Sequence, residues 1–167
     1  MTNAEKIIKI ANDNNGYVTT KQVKDANINT VELTRLVEQN KLERITRGYY
    51  AITNSFCDDY YKYQLKSKNC IFSHSTALYF YDLSDRTPLY FDMTVPVGYN
   101  GSLSKDNNVQ LHYVKKEFLE LGLTTVESPF GMKLRTYDLE RTICDIVKYR
   151  NHMDKEIFIK ALKWYAE

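Results

Sequence analysis

The sequence is poor in residues that break, loosen or cross-link a chain: it has six glycines, three prolines and three cysteines among 167 residues. This composition excludes a collagen-like or low-complexity chain, and its 43% of hydrophobic residues can fill a core. Charged residues interrupt every apolar run well before the roughly 20 residues needed to cross a bilayer. No basic and apolar leader opens the sequence. We therefore expect a globular, cytoplasmic protein with one domain or two small ones.

The cysteines and histidines do not form a recognisable ligand pattern. The three cysteines lie far apart, at Cys57, Cys70 and Cys144. Their odd number and spacing fit neither a disulfide framework nor a Cys-x-x-Cys zinc site, so we expect buried thiols. The three histidines have no second ligand at helical spacing, which predicts no metal site. Glycine-rich phosphate-binding motifs and the Gly-x-Ser-x-Gly motif are also missing, so no cofactor and no catalytic residue are expected.

The excess of positive charge is small but unevenly placed. The net charge is +2, and residues 1–53 account for all of it with eight basic and six acidic residues. The rest of the chain has 15 residues of each sign. An excess of two charges is only weak evidence for a polyanionic partner.

Two helix-opening patterns follow one another near the N-terminus. Thr19 and Gln22 are spaced as a capping box, which predicts a short helix to about residue 26. Asn29 and Glu32 repeat the pattern and predict a second helix to about residue 40. These two short helices, joined by a tight turn, form a predicted helix-turn-helix.

The flanking segments extend this unit. An apolar stripe over residues 7–11 predicts a preceding helix, and residues 17–18 resemble a short strand. Residues 42–45 and 49–52 predict two strands around a turn that contains Arg47 and Gly48. This order of elements is typical of a winged helix-turn-helix, which we place at residues 1–53.

Polar and cationic side chains of this unit are candidates for DNA contact. Thr30, Thr34 and Arg35 lie on the second helix, from which short polar or forked cationic groups reach base edges in the major groove. Lys21 on the first helix, with Arg44 and Arg47 on the hairpin, would contact phosphates. Acidic residues at 32, 38 and 43 oppose DNA binding. The alternative is a winged-helix module that binds protein.

The remainder predicts a second domain of a different kind. Residues 54–69 are polar and tyrosine-rich and are expected to connect the domains. Residues 70–167 combine predicted strands at 70–72, 90–97 and 109–114 with helices opened by Ser73, Asp138 and Asp154. The fold class is therefore α+β, with an N-terminal winged helix-turn-helix and a C-terminal mixed α/β domain.

The carboxylates of the second domain allow an enzyme as an alternative. Asp82, Asp85 and Asp145 could serve as an acid, a base or a metal ligand. However, Asp138 is explained as a helix cap, and Arg141 and Asp145 are spaced to form an i, i+4 ion pair on one helix. We favour the structural interpretation and expect no enzyme.

Four segments of the second domain resemble a known family. After the winged helix come FSHSTALY at 72–79, LSDRTP at 83–88, SPFG at 128–131 and YDLERTICDI at 137–146. In this order and spacing the sequence resembles the AbiEi family of antitoxins over essentially its whole length. Family members usually continue with further helices, so the resemblance implies that residues 70–167 lack terminal helices.

The resemblance implies a bacterial autorepressor and antitoxin. The winged helix would bind inverted repeats in its own promoter, through Lys21, Thr30, Thr34, Arg35, Arg44 and Arg47. The C-terminal domain would counteract a co-encoded, nucleotidyltransferase-like toxin without a stable complex, as in abortive phage infection. The family's C-terminal pattern, whose role is unknown, falls on Ser73, His74, Asp85, Arg86, Asp138, Arg141 and Asp145.

Other expectations concern partners. No heptad or long apolar helix offers a dimer interface, so we expect a monomer in solution and one protein per half-site. The alternatives to the repressor-antitoxin are an enzyme that modifies the toxin or a nucleotide and an adaptor that binds the toxin directly.

Overall fold

Three short helices begin the N-terminal unit, Met1–Lys66. The structure is a computed structural model that describes residues 1–55 and 58–167. The helices are α1 (Asn3–Asn12), α2 (Thr20–Asp25) and α3 (Val31–Glu38). The predicted capping box of α2 is confirmed: the Gln22 amide donates to Thr19 Oγ1 at 3.1 Å, and the Thr19 amide donates to Gln22 Oε1 at 2.8 Å. These bonds satisfy amides that a helix start otherwise leaves unpaired.

The start of α3 differs from the prediction. Asn29 Oδ1 accepts a hydrogen bond from the Val31 amide at 3.0 Å, two residues ahead rather than three. The predicted capping box with Glu32 is wrong, because the Glu32 carboxylate instead accepts from Arg35 Nη1 at 2.6 Å. Asn29 therefore orients the first turn of α3, while Glu32 orients a neighbouring side chain.

A three-stranded antiparallel sheet completes the winged helix. It contains β1 (Tyr17–Thr19), β2 (Leu42–Thr46) and β3 (Tyr49–Ile52) in the order β1-β3-β2. Gly48, with φ +83°, makes the turn between β2 and β3. The helices and the sheet enclose a core whose members are 5% exposed or less: Ile7, Ala11, Val18, Val23, Ile28, Leu33, Leu36 and Leu42.

Helix α4 (Asp59–Lys66) lies in the segment expected to connect the domains, and it packs within the N-terminal unit. Lys62 Nζ contacts Glu43 Oε1 on β2 at 2.5 Å. The Tyr17 hydroxyl donates to the Asp58 carbonyl at 2.8 Å, and the Tyr17 and Tyr61 rings meet edge to face at 5.1 Å. Tyr17 and Glu43 both lie opposite Ala51 in the sheet and so share one face, which α4 covers.

The C-terminal unit, Ser67–Glu167, contains a mixed five-stranded sheet. Its order is β6-β5-β4-β8-β7, with strands β4 (Ile71–Phe72), β5 (Phe91–Pro96), β6 (Val109–Val114), β7 (Leu123–Glu127) and β8 (Lys133–Tyr137). Pairs β5-β6 and β4-β8 are parallel, whereas β4-β5 and β7-β8 are antiparallel. The β7-β8 hairpin was not predicted from the sequence.

Three helices pack in the same unit: α5 (His74–Phe80), α6 (Leu139–Tyr149) and α7 (Lys155–Ala166). Asp138 caps α6 by accepting from the Arg141 amide at 2.8 Å, and Asp154 caps α7 by accepting from the Glu156 amide at 2.8 Å, as predicted. Leu78, Ile146 and Ala161, one from each helix, are all 0% exposed and form part of one core cluster. The α+β class is confirmed.

The cysteine prediction is partly wrong. Cys70 is buried, but Cys144 is exposed. On α6 the neighbouring Ile143 and Ile146 face the core, which leaves position 144 on the solvent side. Cys57 lies outside the described residues.

Within residues 1–55 and 58–167, no helix is long and apolar enough to cross a membrane.

Gly122 provides a test of backbone strain in the C-terminal unit. Its φ is +76°, and a Cβ there would lie 2.7 Å from Arg141 Cβ and 3.0 Å from Asp138 Oδ1. We expect Gly122→Ala to lower the free energy of unfolding of this unit by about 3 kcal/mol, combining left-handed strain with overpacking. Urea unfolding followed by fluorescence of the single tryptophan, Trp164, measures it.

Gly98→Ala is the matched control. Gly98 has φ +86°, but an added Cβ meets nothing within 4 Å. Gly98→Ala should lower the free energy of unfolding by about 1 kcal/mol, which is the cost of the left-handed backbone alone. Equal losses of unfolding free energy in Gly122→Ala and Gly98→Ala would contradict a contribution from the contacts of the added Cβ at position 122.

Candidate functional site

The buried residues of α3 determine which of its side chains face solvent. Leu33 and Leu36 are each 1% exposed and face the core. Thr34 and Arg35 are exposed, whereas Thr30, just before the helix, is half-buried. The predicted base-contacting residues therefore lie at the solvent side of α3 and at its start.

The wing turn adjoins the start of α2. The Thr20 amide donates to the Gly48 carbonyl at 2.9 Å, so the turn residue caps an amide of the first turn of α2. Lys21 directly follows Thr20, and Arg47 directly precedes Gly48. Both side chains are exposed. The structure thus brings together two of the predicted phosphate contacts.

Cationic side chains of this surface differ in their partners. Arg44 is exposed on β2, opposite Tyr50 of β3. Arg35 bonds Glu32 while 62% of its side chain stays exposed. Within the described part of the N-terminal unit, Lys21, Arg44 and Arg47 form no ion pair. These three charges are therefore available to phosphates.

Val31 also lies on the outward face of α3, and it was not among the residues predicted to contact bases. It is 52% exposed on the first turn of α3. The i, i+3 spacing to Thr34 could have indicated a shared face.

A second group of side chains lies in the C-terminal unit and begins with Ser73 and His74. Ser73 opens α5, but its hydroxyl does not cap the helix as predicted. Instead Ser73 Oγ lies 2.9 Å from His74 Nδ1 and accepts from Thr94 Oγ1 at 2.9 Å. His74 has a φ of +48°, an uncommon conformation for a residue other than glycine.

His74 stacks on a second histidine. The His74 and His112 rings lie 3.6 Å apart and 14° from parallel. His112 Nε2 lies 2.7 Å from Asp92 Oδ1, and Tyr149 meets both rings edge to face. Burial, then the nearby His112 and the cations on α6, lower the pKa of His74 to about 3. We call His74, His112, Asp92 and Tyr149 the histidine cluster.

This convergence was not expected from the sequence. The Tyr149 and His152 rings lie 5.2 Å apart, so all three histidines reach one neighbourhood. Strand alternation could have indicated that Asp92 and His112 lie close together. Asp92 and Thr94 share a face of β5, and His112 pairs with Thr94. Among the described residues, no group of three or more His, Cys, Asp or Glu could hold a metal ion.

A cavity of about 410 Å³ reaches the edge of the histidine cluster. Asp92, Tyr149 and His152 line part of it. A histidine with a carboxylate partner can in principle move a proton. However, Ser73 is 0% exposed, so its hydroxyl does not reach the cavity as a nucleophile.

Arg141 and Asp145 fasten α6 to the loop before β7. Arg141 Nε donates to both Asp145 oxygens at 3.0 and 3.1 Å, which confirms the predicted pair. Arg141 Nη1 donates to the carbonyls of Phe118 and Leu121 at 3.1 and 3.0 Å. Burial raises the pKa of Asp145, and Arg141 opposes that shift.

Asp85 and Arg86 occupy a separate place and contact α7. Lys160 Nζ lies 2.6 Å from Asp85 Oδ2, and Arg86 Nη2 lies 2.6 Å from Glu156 Oε2. The hydrogen bond from Lys160 holds the pKa of Asp85 below its usual range. The C-terminal motif residues are therefore spread over three places: the histidine cluster, the start of α6 and the contact with α7.

With this geometry established, comparisons with known proteins identify the N-terminal pattern. Residues 5–53 match a family described as transcriptional regulator, AbiEi antitoxin. The resemblance to the AbiEi antitoxin regulators is confirmed for these residues, and for residues 54–167 it stays a prediction. The match begins within α1, runs through β3 and ends before α4.

One solved structure resembles this chain over most of its length. It is the crystal structure of the RV2827C protein from Mycobacterium tuberculosis, with 13% sequence identity and a TM-score of 0.59. The match covers 87% of this chain and 60% of that one, so this chain spans about 60% of that protein's length. At this identity the likeness shows a shared fold. Among curated proteins, none matches the chain significantly.

The buried His74 predicts a pH dependence of stability. An unfolded histidine titrates near pH 6.5. Below that pH the unfolded chain binds a proton that folded His74, with a pKa of about 3, does not bind. The stability that His74 contributes is thus complete above about pH 6.5 and is lost as the pH falls toward 3.

We expect His74→Asn to remove this dependence, because asparagine tolerates positive φ and does not titrate. Relative to the variant, wild type should lose up to about 1.4 kcal/mol per pH unit below about pH 6. Urea unfolding at several pH values, followed through Trp164, measures the difference. If the free energies of unfolding of wild type and His74→Asn change with pH in parallel, His74 is not the group responsible for the pH dependence.

Proposed function

We propose that this protein is a DNA-binding autorepressor and antitoxin whose N-terminal unit binds inverted repeats in its own promoter. The observation that carries the proposal is the exposed face of α3, which presents Thr34 and Arg35 within the segment that matches the AbiEi regulators. A second helix of a helix-turn-helix enters the major groove with such a face. Thr30 would contact bases from the start of that helix.

The hairpin and the start of α2 would supply phosphate contacts. Arg47 and Lys21 adjoin the hydrogen bond between the wing turn and α2. Arg44 is exposed on the wing strand. Such contacts fix the register of the protein on DNA and make its affinity depend on salt.

The acidic residues that opposed DNA binding are largely neutralised. Glu32 is paired with Arg35 at 2.6 Å, and Glu43 is paired with Lys62 at 2.5 Å. Glu38 remains exposed on α3. The balance of free charge near α3 and the wing therefore favours DNA over a protein-binding module.

We further propose that the C-terminal unit counteracts a co-encoded, nucleotidyltransferase-like toxin, as in abortive phage infection, without catalysis and without a stable complex. In support, the charged motif residues have structural partners. Asp138 caps α6, Arg141 bonds Asp145 and two carbonyls, and Asp85 bonds Lys160. Groups held in this way are poorly placed to act on a substrate. One monomer would occupy each half-site.

Two arginines should separate base contact from phosphate contact. We expect Arg35→Ala to lose about 1 to 3 kcal/mol of discrimination at one base pair, because a guanidinium can donate two bonds to guanine. Arg47→Ala should weaken binding to all sequences and reduce the salt slope by about one. Fluorescence anisotropy with the DNA upstream of the gene and with scrambled DNA, over a series of salt concentrations, measures both effects.

Arg150→Ala is the matched control, since Arg150 is an exposed arginine of the C-terminal unit whose Nη1 bonds only a nearby carbonyl of α6 in the described contacts. It should bind as wild type does. If Arg35→Ala and Arg47→Ala also bind operator and scrambled DNA as wild type does, the assigned DNA face is wrong.

The histidine cluster is the observation that favours an enzyme, and it permits a direct test. His112→Gln removes the ring that pairs with Asp92, and Asp145→Asn removes the charge of a half-buried carboxylate. We expect both variants, where folded, to protect cells from the co-expressed toxin as wild type does, because the motif side chains have structural roles. Growth after toxin induction is the measurement.

Asp85→Ala serves as the exposed counterpart in the same assay, with folding checked by Trp164 fluorescence. Loss of protection in folded His112→Gln alone would transfer the function to an enzyme at the histidine cluster. Co-purification of toxin and antitoxin would instead favour the adaptor.

A further inference from the structure

Val31 departs from the pattern that the rest of α3 follows. Leu33 and Leu36 are 1% exposed, and Val37 packs against the same core. Val31 is 52% exposed on the first turn. The helix thus leaves one apolar side chain in solvent at its start.

The position of Val31 is closely defined. Its amide donates to Asn29 Oδ1 at 3.0 Å, which fixes the first turn of α3. A valine in a helix has one strongly preferred rotamer, so its two methyl groups point in a defined direction with little entropy left to lose. The N-terminal turns of a recognition helix are those that contact base edges.

The neighbours of Val31 carry hydrogen-bonding groups. Thr34 and Arg35 lie three and four residues on and share its side of the helix. Arg35 is directed by its bond to Glu32 Oε1 at 2.6 Å. The surface therefore places an apolar patch directly beside a forked donor.

An apolar patch in the major groove has one natural counterpart. Thymine carries a 5-methyl group there, whereas the other three bases present hydrogen-bonding edges without it. Single exposed valines are common on protein surfaces. What distinguishes Val31 is its place on the face, and in the turn, that would meet the bases.

We propose that Val31 contacts the 5-methyl group of a thymine in each operator half-site and so specifies a T·A pair at that position. The inference rests on the proposed function, in which α3 enters the major groove. It adds a specificity-determining residue that makes no hydrogen bond to DNA through its side chain.

Replacement of thymine by deoxyuridine tests the contact, because it removes the 5-methyl group alone. In the promoter DNA, each thymine of the footprint is replaced in turn, and affinity is measured with the full chain by fluorescence anisotropy. Wild type should lose about fourfold in affinity at one thymine per half-site, the equivalent of burying one methyl group. Val31→Ala should bind the normal operator about as weakly and show no further loss with deoxyuridine.

Two control variants locate the effect. Val97→Ala shortens a valine that is 67% exposed in the C-terminal unit and should retain the deoxyuridine penalty. Thr34→Ser removes the only other methyl group among the exposed residues at positions 31, 34 and 35 and should also retain it.

The outcomes separate this inference from the function on which it rests. Suppose wild type prefers the operator but loses no affinity with deoxyuridine at any position. This result overturns the role of Val31 and leaves the repressor intact. The same holds if the deoxyuridine penalty persists in Val31→Ala or disappears in Thr34→Ser. Equal binding of wild type to operator and scrambled DNA overturns both.

Discussion

The burial of Leu33 and Leu36 determines what the N-terminal unit can present to a partner. Both side chains are 1% exposed in a core shared with α1, β1 and β2. A helix has 3.6 residues per turn, so fixing these two positions also fixes the outward direction of Val31, Thr34 and Arg35. The hydrophobic contact is nonspecific in itself, but it sets the orientation of every polar group on α3.

In the C-terminal unit, polar contacts hold irregular segments to the helices. Arg141 bonds Asp145 and two carbonyls of the loop before β7, so one guanidinium joins that loop to α6. Asp85 and Arg86 tie another loop to α7. Motif residues that resemble catalytic groups in a linear sequence thus hold irregular segments to helices.

Local signals made the N-terminal unit predictable. The Thr19–Gln22 capping box, the glycine turn and the apolar spacing of α3 each act over a few residues, and the structure contains all three. The Asn29–Glu32 prediction failed because each acceptor took another donor: Asn29 Oδ1 accepts from the Val31 amide, and the Glu32 carboxylate accepts from Arg35. Sequence spacing does not determine which donor an acceptor takes.

Long-range contacts made the C-terminal unit less predictable. The histidine cluster joins α5, β5, β6 and α6, and its members are 18 or more residues apart along the chain. The β7-β8 hairpin is alternately exposed and half-buried on β7, a weak periodicity in a short strand. By contrast, the caps of α6 and α7 were predicted correctly because each depends on one aspartate and the next turn.

Helix α4 packs on the sheet of the winged helix, although it lies outside the residues that carry the family pattern. The matched residues end at 53, before Tyr61 and Lys62 contact the sheet. A fragment cut at that point would keep every proposed DNA-contacting side chain, yet it would uncover the Tyr17 ring and leave Glu43 without its cation. Substitutions in α4 are therefore expected to weaken the proposed binding of DNA by destabilising the wing, although α4 supplies no proposed contact to DNA.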